Sequence, residues 1–481
     1  MKRFFATVCN LTAPAETSDP LILSRRTQRL AIWEGSLWAV MWGFGETYIA
    51  PFAVFLNASN LVMAFIGAGP VLIAAIAQLV GAGLLDRVGR RMPIILTGAA
   101  IQAVSYLPLF ILPVLLPSGG IPALLTALII CFFFFGISVP SWMSLMGDVV
   151  DPADRGHYFS NRTRIIMYTM LAAMLLAGVM INRWKNVGHP AIGFGFLFGT
   201  ACLTRLISLF FMRRHYDAPL QKPQENTYFS FLDFIRATPR SNFAKFTFTV
   251  ALMNGTAQIA RPFFAVYMLR DLHWSYLQFT ANMAAFLLSQ TLFVRWWGSL
   301  GDRHGNRAVL IATSCLMPLL PLVWVFSTNY FVLLLAQVLS GACWSGFNLS
   351  ASNFVYDSVS QVKRARAFSY YNLLNGLFCV AAAMLIGAPI AEHVPAEFRL
   401  GAMQITFLSS LPVVFIVSSL ARVIAAAIMF PQFREVRAVE PISTVRILWR
   451  LGSGQPLLAQ VGEFIPLIRK IYTSTAHNNG K

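Results

Sequence analysis

The sequence has few charged residues. Only 12% of its 481 residues are Asp, Glu, Lys or Arg, whereas an average soluble domain carries about a quarter. Hydrophobic residues make up 57%, and the mean hydropathy is +0.63. This balance excludes the soluble globular classes. Apolar runs of about 20 residues recur along the chain, and a helix of that length crosses the hydrocarbon core of a bilayer, so we predict one all-α polytopic membrane protein.

Acidic residues are especially scarce, with 19 Asp and Glu against 37 Lys and Arg, for a net charge of +18. In a soluble protein such a surplus would indicate a nucleic-acid partner. Here most basic residues lie in alternate connections and in the two tails, which is the positive-inside pattern of membrane proteins. We therefore expect the lipid bilayer as a partner and no nucleic acid. The same pattern predicts that both termini are cytoplasmic, in a plasma membrane or a bacterial inner membrane.

Several chemical devices are missing from the sequence. The 6 cysteines are scattered, without the spacing of a metal site or a disulfide framework. All 7 histidines fall in predicted loops or tails, so no His inside a span could bind a metal or act as a base, and a membrane-embedded enzyme is disfavoured. No Gly-x-x-x-x-Gly-Lys-Ser/Thr loop indicates direct use of ATP. We expect no cofactor, no metal and no catalytic residues.

The apolar runs form two sets of six, separated by a polar segment. The twelve predicted spans are 31–56, 61–84, 92–116, 121–147, 165–183, 191–212, 244–268, 275–300, 308–328, 330–356, 367–390 and 403–430. The predicted organisation is a cytoplasmic tail at 1–30, a six-helix bundle at 31–212, a cytoplasmic linker at 213–243, a second six-helix bundle at 244–430 and a cytoplasmic tail at 431–481.

Two segments outside the spans allow two interpretations each. Residues 228–236 of the linker form either a short amphipathic helix on the bilayer or a partly buried turn. The last tail mixes Arg with Ile, Leu and Trp, so it either lies along the membrane surface or is partly disordered.

Two of the predicted connections have nearly the same sequence. Residues 84–91 read Leu-Leu-Asp-Arg-Val-Gly-Arg-Arg, and residues 300–307 read Leu-Gly-Asp-Arg-His-Gly-Asn-Arg. Gly supplies the turn, and Arg holds it in the cytoplasm. A second pair of matching connections starts at Asp148 and at Asp357, with Asp, Val, Arg, Phe and Ser at the same offsets. These paired loops predict that the chain is a duplicated six-helix unit.

The loops resemble the signature of the major facilitator superfamily, Gly-x-Leu-x-Asp-Arg-x-Gly-Arg-Arg/Lys between helices 2 and 3, with a weaker echo between helices 8 and 9. Ala82 replaces the leading Gly of the first copy, and Asn306 replaces a closing Arg of the second. The resemblance implies two bundles that rock about a central cavity, with Asp86 latching the inside-closed state through charge-assisted bonds. In the alternative interpretation, the charges only fix topology and solvate a turn.

The cytoplasmic gate residues that the resemblance implies are Asp86, Arg87, Gly89, Arg90, Arg91, Asp148, Arg155, Asp302, Arg303, Gly305, Arg307, Asp357 and Arg364.

Charges inside a span are costly and are usually functional. Glu34, Arg205, Lys245, Arg295 and Arg422 could each reach an interface or a neighbouring loop, so a structural role is expected for them. Glu46 in helix 1 and Arg261 in helix 7 lack that explanation.

The sequence predicts that Glu46 and Arg261 meet across the cavity. Aligning Pro51 with Pro262 makes helices 1 and 7 repeat partners and places the two charges at similar depth. Alone in a low-dielectric cavity, Glu46 is a candidate proton carrier. Beside Arg261 it is a lock, a ligand for a cationic group, or part of a structural ion pair. An unpaired Arg261 suits an anionic substrate.

Asn254 and Gln258 share helix 7 with Arg261 and complete the predicted substrate or proton site, although such amides also serve as contacts between helices.

These observations predict a secondary transporter that moves a small organic solute by alternating access, with protons as a candidate coupled ion. A transporter-like sensor is the main alternative. Antiport is in doubt, because antiporters of the superfamily carry a Gly-rich, Gly-Pro-containing signature on helix 5, and residues 168–181 contain only Gly178 and no Pro. A small-molecule substrate and a monomeric chain are expected.

Overall fold

The computed structural model of the protein describes residues 19–115, 120–151, 154–217, 231–236, 238, 240–359, 361–400, 403–440 and 442–452. Within these ranges the chain forms helices and one two-stranded antiparallel hairpin. The helices of the two halves are described in turn.

The first half contains six helices, of which α1 and α3 are interrupted. Their bounds are Pro20–Met41, Trp42–Glu46 and Thr47–Phe55 in α1, Asn60–Val88 in α2, Arg91–Val104 and Leu107–Leu115 in α3, Gly120–Val149 in α4, Arg155–Asn186 in α5 and Pro190–Met212 in α6.

The second half repeats this count. Its bounds are Asn242–Gln258, Phe263–Val266 and Tyr267–Asp271 in α7, Tyr276–His304 in α8, Asn306–Leu316 and Leu319–Phe326 in α9, Tyr330–Ser358 in α10, Gln361–Ala382, Ala383–Gly387 and Ala388–His393 in α11, and Leu411–Gln432 in α12. The hairpin strands are Glu397–Leu400 (β1) and Met403–Thr406 (β2), and two further short helices are Phe231–Arg236 in the linker and Thr444–Gly452 in the last tail.

Within the described residues, ten helices are long and apolar enough to cross a membrane by length and composition, namely α2 to α6 and α8 to α12. The repeat partners α1 and α7 complete the two sets of six, and both contain a π-helical turn, Trp42–Glu46 in α1 and Tyr267–Asp271 in α7. The predicted all-α architecture of about twelve spanning helices in two bundles is confirmed.

Two helix starts differ from the predicted spans. α1 begins at Pro20 rather than at 31, because Asp19 accepts a hydrogen bond from the backbone N–H of Leu21 at 2.9 Å and Pro20 suits the first helical position. α12 begins at Leu411 rather than at 403, because residues 403–406 pair with β1 instead of continuing the helix.

The linker helix Phe231–Arg236 favours the buried interpretation of that segment. Phe234 is buried and packs against Tyr370 of α11, with ring centroids 5.8 Å apart. Leu79 of α2 belongs to the same cluster, so the linker contacts both halves. Residues 228–230 lie outside the described residues, as does the tail from 453 onwards.

The turns between helices define two faces of the molecule. The turns at Gly89 and Gly305, both with positive φ, lie on the side named the motif face. The turns at Asn57 and His273 also have positive φ and lie on the other side, named the opposite face. In each half, therefore, the turns after the first and second helices depend on left-handed backbone conformations, which glycine tolerates best.

The two halves are joined toward the opposite face. The hydroxyl groups of Tyr48 on α1 and Thr280 on α8 are hydrogen-bonded at 2.7 Å. Asn60 on α2 donates to the carbonyl of Ala391 on α11 at 2.9 Å. Gly178 on α5 is packed so closely that a Cβ built on it would lie 2.5 Å from Thr280 Oγ1. These contacts hold α1, α2 and α5 against the second half.

An aromatic core fills the same region. Phe52 and Phe194 of the first half belong to one buried cluster with Phe263 and Tyr276 of the second. Phe194 and Tyr276 are in edge-to-face contact across the halves, with centroids 5.5 Å apart. Contacts of this geometry between buried rings add about 0.5–1.5 kcal/mol to area burial.

The halves separate toward the motif face. The buried clusters near that face draw their members from one half each, apart from the cluster around the linker helix: Ile95, Ala99, Leu145, Val149 and Met212 in the first half, and Trp297, Leu300, Val309, Ala312 and Ile447 in the second. Asp86, Arg87 and Arg90 are exposed, and within the described part of the chain Asp86 makes no hydrogen bond or ion pair. The latch expected of Asp86 is not engaged in this conformation.

We predict that Gly178→Leu wedges α5 away from α8 and favours a state open at the opposite face, since a Cβ alone would come within 2.5 Å of Thr280 Oγ1. Spin labels at the exposed positions Val187 and Leu408 would report a longer distance. Gly156→Leu is the control, because this glycine of the same helix has nothing within 4 Å. An unchanged distance in Gly178→Leu would refute a role for this contact in the seal.

Candidate functional site

The π-helical turn of α1, Trp42–Glu46, is the first part of the candidate site. Gly43 and Gly45 of this turn are buried. A Cβ on Gly43 would lie 2.7 Å from a side chain of α5, and one on Gly45 would lie 2.8 Å from the ring of Tyr106 on α3. The glycines thus let neighbouring helices approach the backbone, as expected from their size. Glu46 ends the turn.

Glu46 is hydrogen-bonded within the first half. The hydroxyl of Tyr106 donates to Glu46 Oε1 at 2.6 Å, and the thiol of Cys131 lies 3.5 Å from the same oxygen. Tyr106 stands at the interruption of α3 and is buried. Within the described part of the chain, Oε2 makes no hydrogen bond. One oxygen is therefore fixed, and the other is available to a proton or a ligand.

Arg261 lies in the interruption of α7, between Gln258 and Phe263. Its neighbours Ala260 and Pro262 are buried, whereas the Arg261 side chain is exposed. Among the described residues no carboxylate lies within 4 Å of its guanidinium, so Arg261 is not paired with Glu46 in this conformation, and the expected ion pair is absent here. The alignment of Pro51 with Pro262 gave depth in the membrane, but it contains no information on the direction of each side chain.

Arg422 on α12 is buried beside the interruption of α7 that contains Arg261. It donates to the carbonyl of Met317 at 3.0 Å and to that of Ala257 at 3.4 Å. Met317 lies in the interruption of α9, and Ala257 lies at the end of the helical segment that precedes the interruption of α7, where its carbonyl also accepts from the backbone N–H groups of Ala260 and Arg261. The negative ends of two helix segments thus stabilise this buried cation, which supports the structural role expected for it.

Glu34 on α1 also has a structural environment. It is buried and lies 3.5 Å from Arg162 on α5 and 3.5 Å from Arg205 on α6. Arg162 additionally stacks over the ring of Trp142, 4.5 Å from the centroid. This charge is neutralised within the first half by two basic residues, rather than by reaching the membrane interface.

The two amides predicted to line the site have different partners. Gln258 Nε2 donates to the carbonyl of Gly67 on α2 at 2.7 Å, which joins the two halves. Asn254 Nδ2 donates to Asn375 Oδ1 on α11 at 2.6 Å, within the second half. Gln258 therefore belongs to the contact between the halves, and Asn254 belongs to the packing of the second bundle.

The two predicted gate loops of the first half, around Arg91 and Asp148, are connected to each other. Arg91 begins α3, is buried, forms an ion pair with Asp148 and donates to Ser144 Oγ at 3.0 Å. Arg155 donates to the carbonyls of Gly147 at 2.5 Å and Val150 at 3.3 Å, at the end of α4. These residues brace the motif-face end of one bundle.

The two predicted gate loops of the second half, around Asp302 and Asp357, are bound by the last tail. Arg437 lies 3.1 Å from a carboxylate oxygen of Asp357 and 3.8 Å from one of Asp302. The backbone N–H of Arg307 donates to Glu435 Oε2 at 2.8 Å. Arg303 is exposed, and the side chain of Arg364 lies outside the described residues.

The sequence prediction missed Glu435 and Arg437 because both lie outside the paired loops from which the gate residues were inferred. The only sequence signal is the alternation of charge in Arg434-Glu435-Val436-Arg437, directly after a predicted span.

The family model of the Major Facilitator Superfamily matches this chain twice, over residues 36–260 and over residues 246–461. The chain belongs to the Major Facilitator Superfamily. The two matches correspond to the two halves of the fold. Membership in this superfamily places the chain among transporters and not among enzymes.

Solved structures of other superfamily members share the fold. The nucleoside transporter NupG aligns with a TM-score of 0.64 at 15% identity, over 85% of this chain and 98% of that one. The D-xylose-proton symporter aligns with a TM-score of 0.64 at 15% identity, over 87% of this chain and 100% of that one. A bacterial homologue of the lysosomal transporter Spinster, solved inward-facing and unoccupied, gives 0.61 at 15% identity over 85% and 96%.

A curated superfamily relative matches over a shorter stretch. The class B tetracycline resistance protein of Escherichia coli is 29% identical over 119 residues, which is 24% of this chain. The match spans 29% of the length of that relative. The activity and substrate of the whole chain are therefore argued from its own residues.

We predict that Gln258→Leu weakens the contact between the halves, whereas Asn254→Leu does not. Loss of one hydrogen bond of about 1 kcal/mol would raise the population open at the opposite face roughly fivefold. Spin-label distances across that face would measure the population, and thermal unfolding would measure stability. Asn254→Leu is the matched control, since its partner Asn375 lies in the same half, and it should lower the unfolding temperature without changing the population. Equal distance distributions in both variants would contradict the assignment.

Proposed function

We propose that the protein is a secondary transporter that carries a small organic solute across the membrane by alternating access. The observation that carries the proposal is the uneven contact between the halves. Hydrogen bonds and a shared aromatic core join them toward the opposite face, whereas the clusters near the motif face, apart from the one around the linker helix, remain within one half each. Rocking of two bundles about such a contact would close one face as the other opens.

In this proposal the motif face and both termini are cytoplasmic. The exposed Arg87, Arg90 and Arg303 lie on that face, and an excess of basic residues marks the cytoplasmic side of membrane proteins. The conformation is then open to the cytoplasm and closed to the outside. The membrane is a plasma membrane or a bacterial inner membrane, and a monomer suffices because one chain supplies both halves.

The solute is proposed to carry an anionic group that binds Arg261. A lone guanidinium directed into lipid would be very costly, so the exposed side chain in the middle of α7 favours a water-filled space between the halves. Arg422, which donates to the carbonyl of Ala257, adds a second positive charge beside the same interruption. A carboxylate or phosphate on the solute would supply the counter-ion that the described residues do not, through charge-assisted hydrogen bonds.

Glu46 is proposed to couple transport to protons. Intramembrane carboxyl groups commonly act as proton sites in transporters. Tyr106 fixes one oxygen of Glu46, and the other makes no hydrogen bond within the described part of the chain. Since Arg261 does not neutralise it in this conformation, Glu46 can take up a proton while the motif face is open.

We predict that Arg261→Ala raises the KM for an anionic solute by about 10- to 100-fold, corresponding to a loss of about 1.5–3 kcal/mol for hydrogen bonds to a charged group. Uptake by proteoliposomes would be measured for a panel of organic anions and neutral solutes. Lys245→Ala is the control, because it removes one positive charge from the same helix nearer the motif face. A wild-type KM for every transported anion in Arg261→Ala would exclude this site.

For Glu46→Gln we predict that uptake driven by a proton gradient is lost, whereas exchange of labelled for unlabelled solute continues. The glutamine keeps the shape and an acceptor for Tyr106 but binds no proton. Glu392→Gln, at an exposed position on α11, should behave as wild type. Gradient-driven uptake by Glu46→Gln at the wild-type rate would show that this residue carries no coupled proton.

A further inference from the structure

The first repeat carries its bracing arginine in its own loop. α2 ends at Val88, Gly89 and Arg90 form the turn, and Arg91 is the first residue of α3. From this position the buried guanidinium reaches Asp148 near the end of α4. One charge-assisted contact thus holds the turn between α2 and α3 to the neighbouring helix.

In the second repeat an asparagine makes the corresponding contact. α8 ends at His304, Gly305 alone forms the turn, and Asn306 is the first residue of α9. Asn306 is fully buried, and its Nδ2 donates to Asp357 Oδ2 at 2.9 Å. The loop sequences align Asn306 with Arg90, but in its contact with the aspartate of the matching loop Asn306 takes the place of Arg91, and its neutral amide leaves the charge of Asp357 unbalanced.

Arg437 supplies the missing charge. Its Nε lies 3.1 Å from the same Asp357 oxygen that accepts from Asn306, and its Nη2 donates to the carbonyl of Gly301 near the end of α8 at 2.9 Å. A second carboxylate, that of Asp302, lies 3.8 Å away but is largely exposed, and such ion pairs contribute little. The half-buried contact with Asp357 is therefore the one that matters.

Other contacts of the tail fix the position of Arg437. Asn242 exchanges two hydrogen bonds with the backbone of Arg434, at 2.9 and 2.8 Å. Glu435 covers the turn so closely that a Cβ on Gly305 would lie 2.5 Å from Glu435 Oε2. Ile447 of the tail helix is fully buried in a cluster with Trp297 of α8. The tail is thus packed on the second bundle on both sides of Arg437.

We propose that Arg437 is a positioning residue of the transport cycle, and that the last tail provides to the second bundle the arginine that the first bundle carries as Arg91. This rests on the proposed function. Arg437 joins the turn between α8 and α9 to the end of α10, so that the motif-face end of the second bundle moves as one body. Without it, closure of the motif face slows while the solute site is unaffected.

The test compares Arg437→Ala with the double variant Arg437→Ala/Asn306→Arg, which places an arginine at the residue that contacts Asp357, as Arg91 contacts Asp148. Hydrogen exchange in the α8–α9 turn and in the tail is measured together with transport. In the single variant we expect faster exchange in both segments and a Vmax reduced about tenfold with unchanged KM. In the double variant we expect hydrogen exchange in the turn and Vmax to return to wild-type values, while hydrogen exchange in the tail remains fast.

Arg434→Ala is the matched control, because it removes an exposed charge from the same segment and should leave turn exchange and transport as in wild type. If hydrogen exchange in the α8–α9 turn of Arg437→Ala is as slow as in wild type, the proposal is overturned. Exchange in this turn that stays fast in a folded double variant would also overturn it. If the double variant does not fold, Asp357→Asn tests the proposal instead. This variant should change hydrogen exchange and transport as Arg437→Ala does, and the variant that carries both Asp357→Asn and Arg437→Ala should show no further change. Additive effects would overturn the proposal. The exchange measurements remain decisive even if no solute is transported, which separates this proposal from that of transport.

Discussion

Inside hydrocarbon, a charge or an unpaired backbone group must find its partner within the protein, and much of this fold follows from that constraint. Breaks in α7 and α9 place the carbonyl ends of helical segments inside the second bundle. Arg422 donates to one carbonyl near each of these ends, so two helix ends stabilise this buried cation without a carboxylate. Glu34 shows the converse arrangement, a buried anion held between two arginines.

Arg261 differs from these satisfied groups. Its side chain extends from the middle of an interrupted helix, and the described residues offer it no carboxylate. Glu46, in the partner helix of the first half, has a tyrosine that fixes one oxygen, and none of the described residues forms a hydrogen bond with the other oxygen. A substrate site assembled from both halves needs groups of this kind, because contacts already saturated within one bundle could not change as the bundles move. The separation of the two charges in this conformation therefore supports a site more than a permanent structural pair.

The sequence was sufficient for the fold and insufficient for the partners within it. Apolar length, alternating charge and the duplicated Asp-Arg-x-Gly loops predicted about twelve helices in two bundles. The start of α1 depends on local chemistry, namely Asp19 as the cap and Pro20 after it. The sequence contains this signal, but the predicted span was set by hydropathy and therefore began later. The direction of Glu46 could not be predicted, because a π-helical turn changes which side of a helix a residue occupies. Arg437 lies outside the paired loops, so comparison of those loops could not find its contact with Asp357.

The two faces close by different chemistry. At the opposite face, aromatic rings, close-packed glycines and neutral hydrogen bonds form a contact that excludes water. At the motif face, Asp86, Arg87 and Arg90 are hydrated, and hydrated charges lose little by remaining unpaired. Without bound solute, breaking the contact at the opposite face therefore costs more free energy than leaving the charges at the motif face unpaired. In the proposed cycle, closure of the motif face would bring basic loops together, and the aspartates between them would have to be held in place beforehand. Arg91 does this for Asp148 from within its bundle, and Arg437 does it for Asp357 from the tail. The motif-face end of the second bundle is thus held by a segment that follows the last helix, whereas that of the first bundle is held by a residue of its own loop.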